Sequence, residues 1–466
     1  MKTAADHRRR GWGQGWARGR VGIWGLILIA FAAGFAKVMQ QPAATLFQPP
    51  TKVQQAGQPP DATLVTPVTP VTPVTPSTLG MGLRSRFVSS VSGPHRHAGS
   101  LVELSDGRIR AFWFSGSREG ASDVEIRSAV FDPKQGRWEE EAAVIDRKGA
   151  QAALWRYIRK LGNPVPVRVA DGRLHLFFVT VSLGGWAGSS ISMITSTDEG
   201  KTWGAARRLI TSPFINISTL VKGTPFLYAD GSIGLPVYHE FVGKFGELLR
   251  LDVSGTVIDK QRLSHGYSSL QPVVLVRDAT RALVLMRAAG ATSANRVIET
   301  TTDDAGRHWT PATRTSLLNP SAAVSGFALP DGPLLAVVNN LDANRDALSL
   351  MASTDGGRQW RTLTKLEDQL AWQGGELTEA EFLAATRKLA RATDATLKDS
   401  ESLVEASRRH QCARQRCNFE FSYPYLIRTA NGDAHLVYTW NRSAIKHVEF
   451  SRAWIAQHLR AAASAP

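Results

Sequence analysis

The sequence predicts an all-β chain: a six-bladed β-propeller preceded by an N-terminal transmembrane anchor and interrupted by one small helical insertion. Three observations lead there. The pattern Ser/Thr-x-Asp-x-Gly-x-x-Trp occurs three times, at Ser196–Trp203, Thr302–Trp309 and Ser353–Trp360. Asp304 lies 106 residues after Asp198 and Asp355 lies 51 after Asp304, so the copies fall on a period near fifty with one decayed copy, Leu251-Asp252-Val253-Ser254-Gly255-Thr256, between them. Turn dipeptides also open apolar runs at Asp106-Gly107, Asp171-Gly172, Asp230-Gly231, Asp331-Gly332 and Asn431-Gly432, with Arg277-Asp278-Ala279 as a weaker sixth. A repeat of this length with strand-like content is a propeller blade, and six hairpins make six blades.

The repeated octet has a mechanical reading. Its Asp accepts turn N–H groups, its Gly supplies φ > 0, and its Trp packs between neighbouring sheets. It locks a turn and carries no chemistry.

The amino terminus stands apart from the repeats. Lys2, Arg8, Arg9, Arg10, Arg18 and Arg20 precede an apolar run from Val21 to Ala36. Residues 1–20 therefore read as a cytoplasmic basic tail and 21–39 as a single-pass anchor in a bacterial inner membrane, with the rest facing the periplasm. Cleavage after Ala36, giving a secreted protein, is the alternative. Residues 40–80, rich in Pro and Thr, read as a semi-rigid spacer, and 81–460 as the propeller. Within it, 367–418 is charged and Ala-rich. The Thr378-Glu379-Ala380-Glu381 capping box and helical spacing through Phe382, Leu383 and Leu389 predict a helical insertion there.

The chain of 466 residues carries a net charge of +15. Part of the excess is the basic tail; with no nucleic-acid motif, the remainder favours an acidic glycan or envelope surface as partner over nucleic acid. Cys412 and Cys417 are the only cysteines. In an exported chain the pair predicts a local disulfide, since two thiolates alone do not complete a metal's coordination sphere. His95 and His97 likewise make no sufficient metal signature, and no metal or organic cofactor is implied.

Strand parity places the chemistry. In an up-and-down four-stranded blade the first hairpin and the Asp-containing turn share one face, so second-to-third loops and blade-to-blade connections share the other. That second face collects Arg118, Glu119 and Asp123 of the first blade, His239 and Glu240 of the third, Arg287 of the fourth and Arg345 of the fifth. Arg96, His97, Gln271 and Tyr423 join them at the starts of first strands. Arginines around a carboxylate and a tyrosine suit bidentate capture of an anionic sugar. Asn163-Pro164 and Asn319-Pro320 read as turn punctuation.

On these residues the chain resembles the sialidase (neuraminidase) superfamily, especially its bacterial BNR-repeat group, from roughly Arg84 to Leu459; the octet is similar to that family's Asp-box. The resemblance implies three arginines that clamp a substrate carboxylate, an aspartic acid in the first blade that protonates the leaving group, and a tyrosine, helped by a glutamate, that attacks the anomeric carbon. In Phe114–Asp123, Asp123 matches the acid with Arg118 beside it. Arg287 and Arg345 match the second and third clamp arginines, and Tyr423 matches the nucleophile.

Two positions depart from the pattern. The family's first clamp arginine sits in Arg-Ile-Pro, where this chain has His95-Arg96-His97, and the family's glutamate falls on Gln271. A glutamine cannot take a phenol proton, and an unassisted tyrosine near pKa 10 is a poor nucleophile. Glu240 is the expected substitute. The reading is an exo-sialidase-like, retaining glycoside hydrolase for a sialic, nonulosonic or uronic acid glycan at the cell envelope. Its alternatives are a glycosidase or lyase for another acidic polysaccharide, using His97, Glu119 or Glu240, and a non-catalytic glycan-binding propeller.

Overall fold

The computed structural model describes residues 12–39, 44–52, 82–89, 94–212, 216–290, 294–369, 377–397 and 399–464. The chain divides into two compact units, Met1–Ala44 and Thr45–Pro466. In the first, helix α1 spans Trp12–Met39, starting well ahead of Val21. Among the described residues no helix is long and apolar enough to cross a membrane. Side chains of α1 are described only over 22–36, about 22 Å of helix against a hydrocarbon core of about 30 Å. The expected transmembrane anchor is thus not supported.

The second unit is all-β at its centre. Six antiparallel sheets follow one another, with first strands at His95–Glu103, Lys160–Arg168, Leu220–Val221 with Phe226–Leu227, Ser269–Val276, Ser325–Ala328 and Phe421–Arg428. Each expected turn dipeptide joins a first strand to a second. Val102, Pro166, Phe226, Val274, Gly326 and Leu426, one from each first strand, line a single cavity of about 500 Å³. The six sheets therefore face one another across common ground in a propeller-like arrangement. The last sheet takes its outermost strand, Leu83–Phe87, from the other end of the chain: it pairs with Ala444–Phe450.

The repeated octets form the turns between third and fourth strands. Asp198 accepts the N–H of Thr202 at 2.9 Å, Asp304 that of His308 at 3.0 Å and Asp355 that of Gln359 at 3.0 Å. Gly200, at φ 83°, donates its N–H to Ser196 Oγ. These bonds hold the carboxyl of Asp304 down at about 2, against the effect of its slight burial. The indoles bridge blades: Trp203 meets Phe112 edge-on, and Trp309 Nε1 donates to Gln261. Asp252 performs the same turn without a Trp, accepting from Ser254 and Thr256.

Other features depart from the sequence reading. Part of the presumed spacer is built into the fold: Phe47 N donates to Ala279 O, Gln48 N to Leu227 O, and Arg428 Nη1 to Thr51 O. Phe47 itself is fully buried against Phe226 and Tyr228. Residues 40–43 and 53–80 of that spacer lie outside the described residues. A C-terminal helix, Arg452–Ser464, which periodicity did not announce, buries Trp454 and Ile455. Truncating Phe47 to Ala removes a buried ring from a folded strap, so it should cost about 3 kcal/mol and open residues 44–52 to protease. Wild-type denaturant stability and an uncut strap would show the segment to be merely laid on the surface.

The short helix α2 (Arg147–Leu154) follows the first blade. The insertion is helical, with α3 (Glu379–Thr393) started by the Thr378/Glu381 capping box and α4 (Ser400–Gln411). Phe382, Ala390 and Leu403 bury against Phe419 and Phe421 of the last blade. The disulfide Cys412–Cys417 closes the hairpin that leads back into that blade.

Candidate functional site

A shared backbone device presents the site. In the first strands of blades one, two, four and six, pairing slips after His97, Gly162, Leu270 and Ser422. Each slip leaves one non-glycine residue at positive φ: Ala98 (55°), Asn163 (46°), Gln271 (52°) and Tyr423 (55°). A bulge re-aims a side chain, and such sparsely populated conformations collect at functional sites. Three of the four precede a proline. Asn163, read as turn punctuation, therefore occupies the position that Gln271 and Tyr423 occupy.

The three meet around two phenols. Gln271 Nε2 lies 3.3 Å from Tyr423 Oη and 3.4 Å from Tyr238 Oη, and Asn163 Nδ2 lies 3.3 Å from Tyr238 Oη. Arg287 Nη1 donates to Gln271 Oε1 at 3.2 Å. Because a guanidinium only donates, the amide oxygen must face Arg287 and the amide N–H groups must face the tyrosines. Gln271 is thus a donor to Tyr423, the reverse of a base. Burial, reinforced by Tyr423 and Glu240, pushes the Tyr238 phenol well above its ordinary range.

Beneath Tyr423 lies Lys222, fully buried, its Nζ bonded to Pro424 O at 3.0 Å. Burial pulls this amine down to about 7. On the other side His97 packs its ring 4.2 Å from that of Tyr423, and His95 packs on His410 of α4 at 5.3 Å. Burial and Arg442 hold His95 at about 3 and His97 well below its normal value, so both imidazoles are neutral at pH 7. Among the described residues no group of three His, Cys, Asp or Glu could hold a metal ion.

The arginines form a second group. Arg345 Nη1 pairs with Glu420 Oε1 at 3.2 Å, and Arg442 pairs with Glu420 Oε2 at 2.6 Å and Glu119 Oε2 at 3.0 Å. Burial would raise the Glu420 carboxyl, yet Arg442 and Arg345 hold it below its usual range. Ser321 joins the groups, its Oγ bonded to Arg287 and its carbonyl to Arg345. Neither Arg442 nor Glu420 was picked out in sequence, although parity covers Arg442: it lies between the second and third strands of blade six.

The remaining expected residues sit elsewhere. Arg96 is 2 % exposed and turned away, toward Glu141 at 3.5 Å and Ser443 O at 3.3 Å, because strand alternation points it opposite to His95 and His97. It pairs with Glu141 inside the first blade and reaches the last blade only through Ser443 O, so it is not part of the group around Tyr423. Arg118 is exposed and forms no ion pair among the described residues. Asp123 is exposed, its carboxylate held by Ser117 N at 2.9 Å and Ser117 Oγ at 3.0 Å. Glu240 anchors its backbone on Ser218. Burial raises its carboxyl, opposed by nearby Arg287, and it makes no hydrogen bond to Tyr423 among the described residues. His239 stacks on Phe245 at its rim.

A sequence profile described as a BNR repeat-like domain matches residues 107–436. No curated protein matches the chain. Among solved structures, the Hadza microbial sialidase Hz136 superposes with a TM-score of 0.56 at 15% identity, covering 77% of this chain and 66% of that one. The K499G mutant of NanB sialidase from Streptococcus pneumoniae gives 0.54 at 10% identity, covering 78% and 70%. A mutant of Trypanosoma rangeli sialidase displaying trans-sialidase activity gives 0.55 at 11%, covering 80% and 60%. The chain thus spans under two thirds of the first and third of these proteins, and at such identities the likeness is one of fold.

Proposed function

Because the chain belongs to the BNR-repeat family of the sialidase superfamily, we propose that it is an exo-sialidase-like glycoside hydrolase of an acidic glycan at the cell envelope. The observation that carries the reading is Tyr423, held on a strained bulge by Gln271, with Arg287, Arg345 and Arg442 gathered on the same face. The guanidiniums take the sugar carboxylate, Arg442 standing where Arg96 had been expected. Tyr423 Oη gives its electron pair to the anomeric carbon as the glycosidic bond breaks. Its proton passes to solvent water because Gln271 offers no base, and it regains a proton from water when the sugar is released. Asp123, once its loop turns it off Ser117, gives the leaving oxygen a proton and later takes one from the water that releases the sugar, with net retention.

The disulfide supports a location outside the cytoplasm, where such bonds persist; two free thiols in protein from its native host would remove that support. The carboxylate clamp is tested by Arg287→Ala and Arg345→Ala. Each should weaken binding of an acidic sugar by about 1.5 to 3 kcal/mol, the scale of charge-assisted hydrogen bonds, with circular dichroism unchanged. Equal affinity for a carboxyl-reduced sugar would refute it. A second reading, a glycan-binding propeller without turnover, is favoured by one observation: Gln271 offers Tyr423 a donor and no base. Binding through the same arginines without hydrolysis of any acidic glycoside would select it.

A further inference from the structure

The face that carries Tyr423 also carries an apolar patch that the glycosidase reading does not use. Trp155 is 94% exposed, Tyr157 59%, Leu183 77%, Phe241 61% and Val242 80%. They come from three neighbouring segments: the connection between blades one and two, the second-to-third loop of blade two and that of blade three. By strand parity all three segments lie on the Tyr423 face. They are also tied together, since Arg159 Nη1 bonds Gly184 O at 3.1 Å and Lys160 Nζ stands 4.0 Å over the Trp186 ring. Glu119 of the first blade and, more weakly, Glu240, opening the third segment, are both close enough to Lys160 for their charges to act there.

Five large apolar side chains exposed at loop tips are costly in water. Their setting is basic. Residues 147–160 contain Arg147, Lys148, Arg156, Arg159 and Lys160 and no acidic residue, and Lys244 closes the third segment. Glu240 is the single carboxylate in the three segments. Aromatic and aliphatic tips set among arginines and lysines match the water–lipid interface, where Trp and Tyr rings lie at headgroup level and basic groups meet anionic lipid.

We propose that this patch docks the propeller on an anionic lipid bilayer. Trp155, Tyr157, Leu183, Phe241 and Val242 enter the interface, the basic residues meet lipid phosphates, and the Tyr423 site is held toward glycans borne on that surface. The docking does not depend on the glycosidase reading, because its test needs no glycan.

The test uses the full chain and reads the patch locally, so that binding through any other part of the chain does not count. Hydrogen exchange is measured at residues 155–160, 182–188 and 240–244 with phosphatidylcholine vesicles and with vesicles containing about a third phosphatidylglycerol. Exchange there should slow at least tenfold only with the anionic vesicles, and brominated lipid should quench emission that is absent in Trp155→Ser. A Phe241→Ser/Val242→Ser variant, confirmed folded by circular dichroism, should lose the protection in all three segments. Equal exchange on both vesicle types overturns the proposal. So does protection by a soluble acidic oligosaccharide alone, which would make the patch a shelf for the rest of the glycan, or protection that follows protein concentration, which would make it a contact between copies.

Discussion

Tyr423→Phe should remove turnover of an aryl sialoside by at least about a thousandfold, the scale on which loss of a nucleophile is felt, and should abolish a covalent adduct with a fluorinated sugar. The ring and its packing on His97 survive this change, so folding and carboxylate binding should persist. Gln271→Glu should act in the opposite direction. Its carboxylate can accept the Tyr423 proton while still taking the Arg287 donor that now meets the amide oxygen. General-base assistance is worth about a hundredfold or more, and the wild type should be slow by comparison. An adduct that forms equally well on the Phe variant would move the nucleophile elsewhere. A Gln271→Glu enzyme no faster than wild type would mean that proton removal from Tyr423 does not limit the rate.

The blades were legible because their signals are local. An Asp that accepts its own turn's N–H groups, and an Asp-Gly hairpin, depend on a few consecutive residues, so spacing alone located six sheets. The site was legible to the level of faces and not of side chains. Parity put Arg287, Arg345, Gln271 and Tyr423 on one face, since loop position decides the face, and Gln271 bonds both Arg287 and Tyr423 while Ser321 bonds both arginines. It could not decide direction within a strand: Arg96 begins a first strand, as His97 does, but alternation turns it to Glu141. Bulges defeat simple alternation at Gln271 and Tyr423. The x-Pro repeat at Asn163, Gln271 and Tyr423 was the available sign of a common position, and it was read as punctuation at Asn163. Lys222 and Tyr238 gave no sign, because what marks them is burial beside other blades. The strap at Phe47 is likewise set by a pocket between Phe226 and Tyr228, built from residues far along the chain.

Glu420→Ala should be the most destabilising change in the site, at about 3 kcal/mol, because it strips the shared partner from two partly buried arginines. The carboxylate is held below its ordinary range in the fold, so its contribution is complete above the unfolded value near 4.3 and disappears as pH falls through the lower folded value. Wild-type stability should therefore drop through that acid window, and the variant's should be flatter there. The same substitution leaves Arg345 and Arg442 facing each other without an intervening anion. A ligand carboxylate can then supply the missing charge, so an acidic sugar should raise the melting temperature of Glu420→Ala by more than it raises that of the wild type. A carboxyl-reduced sugar should restore nothing. Equal stabilisation of both proteins by the acidic sugar would show that its carboxylate is bound away from these two arginines, and the clamp would then rest on Arg287 without them.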